Sequence, residues 1–201
     1  MPEPAGHYFH GDPAVASRPA TVRLDLPDRS LTLATDRGVF SADRVDDGTK
    51  YLLLAAPSPP PTGTVVDLGC GYGPIACTLA ARTPGATVWA VDVNQRALDL
   101  CRANAAALGL TNVRVAHVDD LPAELSVDLL WSNPPIRIGK DALHALLAGW
   151  LGRLAPGGSA VLVVRKHLGA DSLQRWLESQ GWPTQRIGSR TGYRLLEVSR
   201  P

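Results

Sequence analysis

The sequence predicts an α/β fold, a mostly parallel β-sheet with helices on both faces, preceded by a small β-hairpin. Three observations lead there. From residue 64 onward, short apolar runs alternate with amphipathic stretches of helical length, the pattern of repeated strand–helix units. The first run ends in a glycine-rich turn, Gly69-Cys70-Gly71-Tyr72-Gly73, which opens a helix. The length, 201 residues, suits one such domain and leaves little room for a second.

Residues 21–26 and 31–35 each alternate apolar and polar side chains, and Pro27-Asp28-Arg29-Ser30 between them carries turn formers. That spacing predicts the hairpin. Residues 38–45 lead into a helix predicted over 48–56. Pro57-Ser58-Pro59-Pro60-Pro61 is a stiff connector that cannot sit inside a helix or sheet. It divides an N-terminal extension, 1–56, from a main region, 57–201, within one globular unit. In the main region strands are predicted at 64–68, 87–91, 113–117, 127–132, 159–164, 185–187 and 193–198. Helices are predicted at 74–82, 95–108, 141–154 and 170–180. Pro156-Gly157-Gly158 breaks the third of these helices, and Gly181 ends the last. Sheets of this kind bind ligands at the carboxyl ends of the strands, where strand order reverses.

Composition narrows the function classes. No apolar run reaches the ~18 residues of a membrane span, and residues 1–10 lack the basic-then-apolar order of a signal peptide. Three cysteines, without metal-ligand spacing to the five histidines, fit a reduced, cytoplasmic setting with no metal. The net charge is +1, but its distribution is uneven. Residues 1–136 carry 10 Lys/Arg against 15 Asp/Glu, and residues 137–201 carry 10 against 4. The basic C-terminal third suits either an anionic partner or an ordinary solvated surface.

In the glycine turn, three alternate glycines let the backbone approach a ligand where any Cβ would clash, and the following helix is expected to present free N–H groups beside it. The spacing differs from the dinucleotide pattern Gly-x-Gly-x-x-Gly. Asp67, two residues before the first glycine, would repel a pyrophosphate and attract a cation. Asp92 ends the second main strand, with Val93 after it, where a carboxylate can accept from ribose hydroxyls. Asp119, after the third strand, suits an adenine amine or, beside Asp120, a helix cap.

Asn133-Pro134-Pro135-Ile136 follows the fourth strand. Two prolines remove two backbone donors, so the carbonyls there are expected to stand as free acceptors. The Asn133 side-chain oxygen and the Pro134 carbonyl together suit the two N–H groups of a planar amine. Holding both would aim the nitrogen lone pair at a methyl donor, and no strong base is needed because the proton can leave after attack. Arg137 and Lys140 beyond this turn, and Arg165 and Lys166 at the end of the fifth strand, suit phosphate contacts or surface solubility.

These residues carry a resemblance. The stretch 67–73, Asp92 and Asn133 to Ile136 resemble motifs of class I S-adenosylmethionine (SAM)-dependent methyltransferases that act on amino groups. More closely, His7-Tyr8-Phe9, residues 38–46, 67–76 and 133–140, and Gly192-Tyr193 resemble the methyltransferase domain of small-subunit (16S) ribosomal RNA guanine-N2 methyltransferases. The resemblance implies a Rossmann-like, seven-stranded sheet with its last strand antiparallel. It implies SAM as cofactor, S-adenosylhomocysteine as product, and ribosomal RNA or the small ribosomal subunit as partner; the sequence leaves monomer and homodimer both open. The candidate cofactor set is Asp67, Gly69, Cys70, Gly71, Gly73, Asp92, Val93, Asp119 and Asn133, and the candidate catalytic set is Asn133, Pro134 and Pro135. Ile136 stands where such enzymes often carry an aromatic residue that stacks on the target base. Phe40, Tyr8 and Phe9 are the aromatic substitutes, or else core residues. Such enzymes often also carry a second, N-terminal domain, for which this chain has no room.

Competing readings are a protein glutamine N5-methyltransferase, a non-catalytic SAM- and RNA-binding module, and a nicotinamide-dependent oxidoreductase. Ile136 and the hairpin argue against the first, the intact Asn133-Pro134-Pro135 against the second, and the glycine spacing against the third.

Overall fold

The computed structural model describes residues 15–201, so the readings placed on His7, Tyr8 and Phe9 lie outside the described residues. The chain opens with β1 (Ala20–Leu26) and β2 (Arg29–Thr35), an antiparallel pair closed by a two-residue turn at Pro27-Asp28. Alternation puts Val22, Leu24, Leu26, Leu31 and Leu33 on one buried face. Helix α1 (Asp47–Ala55) follows, capped at its N-terminus by the Asp46 carboxylate.

The main sheet is then laid down by alternation: β3 (Thr62–Leu68), α2 (Pro74–Arg82), β4 (Gly85–Asp92), α3 (Gln95–Ala107), β5 (Val113–His117) and β6 (Val127–Ser132). Helix α4 (Lys140–Leu151), β7 (Leu154–Arg165), α5 (Ala170–Ser179), β8 (Thr184–Arg190) and β9 (Tyr193–Ser199) complete it. The order across the sheet is β5-β4-β3-β6-β7-β9-β8, with β9 antiparallel to both its neighbours and the strands from β5 to β7 parallel. This is the seven-stranded, mostly parallel, Rossmann-like sheet that the sequence resemblance implies. Strand order reverses between β3 and β6, which places a crevice at their carboxyl ends.

The passage from α4 to β7 differs most from expectation. The strand predicted from residue 159 begins at Leu154 and runs through Pro156-Gly157-Gly158, and α4 stops at Leu151 instead of 154. Val127 pairs with Leu154 but Leu129 pairs with Ser159, so the extra residues bulge out of the ladder. Gly157 takes a positive φ of 78°. A Cβ on Gly158 would lie 2.7 Å from the Val127 carbonyl oxygen. The two glycines make the close passage possible, and a bulge tolerates the missing N–H of Pro156.

Each face of the sheet has its own core. The hairpin, α1, α2 and α3 cover Val65, Leu129, Trp131, Val161, Val163 and Leu195. Helices α4 and α5 cover Val66, Leu130, Leu162, Val164, Leu196 and Val198. Alternation along β3, Val65 to one face and Val66 to the other, explains why the central strands are apolar on both sides. Buried Asn104 of α3 ties the hairpin down: its Oδ1 accepts from Ala34 N at 2.7 Å, and its Nδ2 donates to Ala34 O and Tyr72 O at 2.9 and 2.8 Å. Among the described residues no helix is long and apolar enough to cross a membrane.

Candidate active site

The glycine turn leaves β3 at the switch point. Gly69, Gly71 and Gly73 all have positive φ, at 77°, 53° and 94°, a region open to glycine at no steric cost. A Cβ built on Gly69 or Gly71 would meet nothing within 4 Å, so both face open space. At Gly73 the reason is the opposite, because a Cβ there would lie 2.7 Å from Cys101 Sγ. Gly69 N and Cys70 N donate to Val91 O at 2.8 and 3.0 Å, locking the turn to β4. The Cys70 thiol is buried and pushed well up by burial, so Cys70 can face a ligand only through its backbone.

Asp92 grips the same turn from the end of β4. Its Oδ2 accepts from Gly71 N at 2.8 Å, and its Oδ1 from Val93 N and Asn94 N at 2.8 and 3.0 Å. Burial pushes this carboxyl up, and the three backbone N–H bonds pull it back. Asp67 lies fully buried beneath the turn. Its Oδ2 accepts from Ala76 N at 2.9 Å, while its Oδ1 has no partner among the described residues. Burial, and then the Asp92 charge, raise the Asp67 carboxyl to about 8. The two glycines that face open space, above an orphaned buried carboxyl oxygen, leave a cradle for a ligand, and with its proton held Asp67 brings no charge to it.

The expected free N–H groups of α2 are largely spent. Pro74 has none, Ala76 gives its N–H to Asp67, and Cys77 donates to Gly73 O. Asp119 sits in a short 3₁₀ turn after β5, with an 83% exposed side chain 3.4 Å from His117 Nδ1. It lies one strand beyond Asp92, at the same end of the sheet.

Asn133 leaves β6 beside the glycine turn, and Ser132 Oγ donates to Leu68 O at 2.7 Å, holding the two strand ends together. The Asn133 side chain is half-buried. Its Nδ2 donates to Asp46 Oδ2 at 3.0 Å and to Thr49 Oγ1 at 3.1 Å, so both amide hydrogens are used. A carboxylate only accepts, which fixes the direction of the amide: nitrogen toward α1, oxygen away from it. The Asn133 oxygen accepts nothing from the described residues. The Pro134 carbonyl departs from expectation. It accepts from Ile136 N at 2.8 Å, and Pro135 O accepts from Ile138 N at 3.1 Å, because the chain turns tightly into α4. Only a second lone pair of Pro134 O is left for a substrate.

Ile136 is half-buried and packs on the core beneath α4 and α5. Phe40, by contrast, is 45% exposed. Its loop is held at Gly38, whose carbonyl accepts from Asn94 Nδ2 at 2.9 Å, and at Ser41, whose carbonyl accepts from Tyr72 Oη at 3.4 Å. Arg137, Lys140, Arg165 and Lys166 are all exposed, at the carboxyl ends of the neighbouring strands β6 and β7. The Arg165 guanidinium lies 4.8 Å over the Tyr193 ring. Among the described residues no group of His, Cys, Asp or Glu is placed to hold a metal ion.

Asp46 and Thr49 are the site residues that sequence reasoning misses. Asp46 is legible as a helix cap, since it precedes Asp47-Gly48-Thr49. Its second partner lies 87 positions downstream, with no local signal.

Comparison with known proteins finds methyltransferases among the relatives of this chain. The family model for the methyltransferase small domain matches residues 30–197. An uncharacterized Bacillus subtilis protein, YbxB, is 32% identical over 197 residues, covering 96% of this chain and 98% of that protein. Ribosomal RNA small subunit methyltransferase C of Salmonella choleraesuis is 35% identical over 142 residues, 69% of this chain and 41% of that enzyme. The chain thus matches about two-fifths of that enzyme's length. Among solved structures, the T. thermophilus 16S rRNA N2 G1207 methyltransferase in complex with AdoMet and guanosine superposes with a TM-score of 0.80. That match has 27% identity and covers 94% of this chain and 52% of that one.

Proposed function

The chain belongs to the methyltransferase small domain family, class I SAM-dependent methyltransferases, and we propose that its substrate is the exocyclic N2 amine of a guanine in small-subunit ribosomal RNA. The observation that carries the reading is the Asn133 amide, whose two hydrogens are committed to Asp46 and Thr49 while its oxygen is left to accept. An amine donor is what such an oxygen recognises.

The residues divide the work. Gly69 and Gly71 leave room for the cofactor, Asp67 holds the start of α2 below the turn through Ala76 N, and Asp92 and Val93 border its ribose side, with Asp119 beyond. SAM, when bound there, supplies an electrophilic methyl group. Asn133 Oδ1 takes one N–H of the target amine, and the remaining lone pair of Pro134 O takes the other. Pro135 keeps the turn rigid. Both bonds draw the planar nitrogen toward tetrahedral geometry and aim its lone pair, a gain of positioning rather than of acid–base chemistry. Phe40 offers the exposed face on which a base stacks, in place of the half-buried Ile136, and such stacking contributes ~1–3 kcal/mol per base. Arg137, Lys140, Arg165 and Lys166 hold flanking phosphates, which position RNA without reading its sequence.

Support for small-subunit RNA comes from the Salmonella relative's name, and support for a guanine N2 target from that of the T. thermophilus enzyme. The test offers labelled SAM to purified small subunits, to deproteinised ribosomal RNA and to a protein extract, with nucleoside mass spectrometry of the products. N2-methylguanosine in small-subunit RNA is the expected result. Label in protein alone overturns it in favour of a glutamine methyltransferase.

A further inference from the structure

An N-cap needs little. Asp46 caps α1 by accepting from Gly48 N at 2.8 Å and Thr49 N at 3.2 Å through a single oxygen, Oδ2. The same oxygen also accepts from Asn133 Nδ2 at 3.0 Å, and Thr49 Oγ1, one turn into the helix, accepts from that nitrogen at 3.1 Å. The first turn of α1 therefore ends on the side chain that follows β6, 84 to 87 residues away.

The surroundings press this turn into place. A Cβ on Gly48 would lie 2.5 Å from Tyr193 Cε1 and 2.9 Å from Asp46 Oδ2, so the ring of β9 and the cap carboxylate pack directly against the glycine. Gly48 does not have positive φ, so here the residue answers to space and not to backbone conformation. The Arg165 guanidinium lies over the same Tyr193 ring. The cap is thus wedged between Asn133 and a fixed aromatic, more than helix capping requires.

An asparagine amide can turn over and exchange its oxygen for its nitrogen. Turned over, Asn133 would set its oxygen against the Asp46 carboxylate, acceptor against acceptor, and would meet an incoming amine with N–H donors. We propose that Asp46, assisted by Thr49, is a positioning residue for methyl transfer: it holds the Asn133 amide with its oxygen toward the target amine. The proposal rests on the reading of Asn133 as the amine acceptor. It makes α1, which precedes the cofactor-binding strands in the chain, part of the catalytic apparatus.

Two substitutions separate this role from capping. Asp46→Ser keeps a good N-cap, but its hydroxyl, donor as well as acceptor, no longer dictates the direction of the amide. Asp46→Asn keeps an acceptor oxygen at the same reach. Asp46→Ser is expected to lower kcat at least ~10-fold while KM for RNA, SAM affinity and Tm change little, and Asp46→Asn to recover most of the lost rate. In an Asn133→Ala background Asp46→Ser should cost nothing further. A second readout needs no substrate. The Asn133 side-chain amide resonances of ¹⁵N-labelled protein, identified by their loss in Asn133→Ala, should move toward free asparagine in Asp46→Ser. Wild-type kcat in Asp46→Ser, or unmoved amide resonances, overturns the proposal. If wild-type protein methylates no RNA, or Asn133→Ala keeps its rate, the functional reading has failed instead, and the resonances alone decide whether Asp46 holds the amide.

Discussion

Two side chains carry predictions at the scale of single residues. If Asn133 accepts the target amine as proposed, its loss removes positioning and leaves the cofactor site alone. Asn133→Ala is expected to cut kcat at least ~100-fold with SAM affinity nearly unchanged by calorimetry; full activity in that variant contradicts the assignment. Asp67 gives a pH signature. Its carboxyl is raised to about 8 in the folded protein, against ~3.9 in an unfolded chain. Between those values the folded state holds a proton that the unfolded state has lost. Its contribution to stability is therefore full below the unfolded value and is lost as pH rises through about 8. Asp67→Asn cannot titrate, so the Tm of this variant relative to wild type, both without cofactor, should rise from about pH 5 to about pH 9. A difference that stays flat over that range excludes the buried acid.

At the scale of elements, exposed basic residues follow the carboxyl ends of the neighbouring strands β6 and β7. If Arg137 and Lys140 neutralise phosphates, replacing both with Ala should weaken RNA binding and reduce the slope of log affinity against log salt by ~1–2. SAM affinity should not move, and an unchanged salt slope would return these side chains to a solubilising role. The elements were largely legible before the structure. α2, β5 and β6 run over the residues predicted, because glycine, proline and apolar runs punctuate them locally. β7 was legible only from Ser159, since Pro156-Gly157-Gly158 reads as a break when the partner strand that absorbs the bulge is unseen. Gly69 and Asn133 are legible as candidates because each follows a strand, β3 or β6, that ends at the switch point, and Asp92 because it ends the adjacent β4. The commitments of their polar atoms are not. That Ala76 takes the Asp67 oxygen, that Ile136 takes the Pro134 carbonyl, and that Asp46 takes the Asn133 amide all depend on chain reversals and contacts that no local pattern encodes.

For the whole molecule, the hairpin and α1 share the core of one sheet face, with Leu24, Leu33 and Leu52 buried against α2 and α3. Asn104 is the polar tie across that junction, with three hydrogen bonds inside the fold. Leaving Ala34 and Tyr72 without it should cost about 2 kcal/mol or more, since each orphaned buried group is expensive. Asn104→Ala should lower the urea midpoint accordingly, in one transition if the N-terminal segment unfolds with the sheet. A separate early transition would mean that it does not. The same integration brings Asp46 to Asn133. The most direct test of the account is nucleoside mass spectrometry of small-subunit ribosomal RNA from a strain lacking the gene. The account predicts the loss of one N2-methylguanosine, restored by the wild-type gene and not by Asn133→Ala. An unchanged N2-methylguanosine content without the gene, or full restoration by Asn133→Ala, would contradict it.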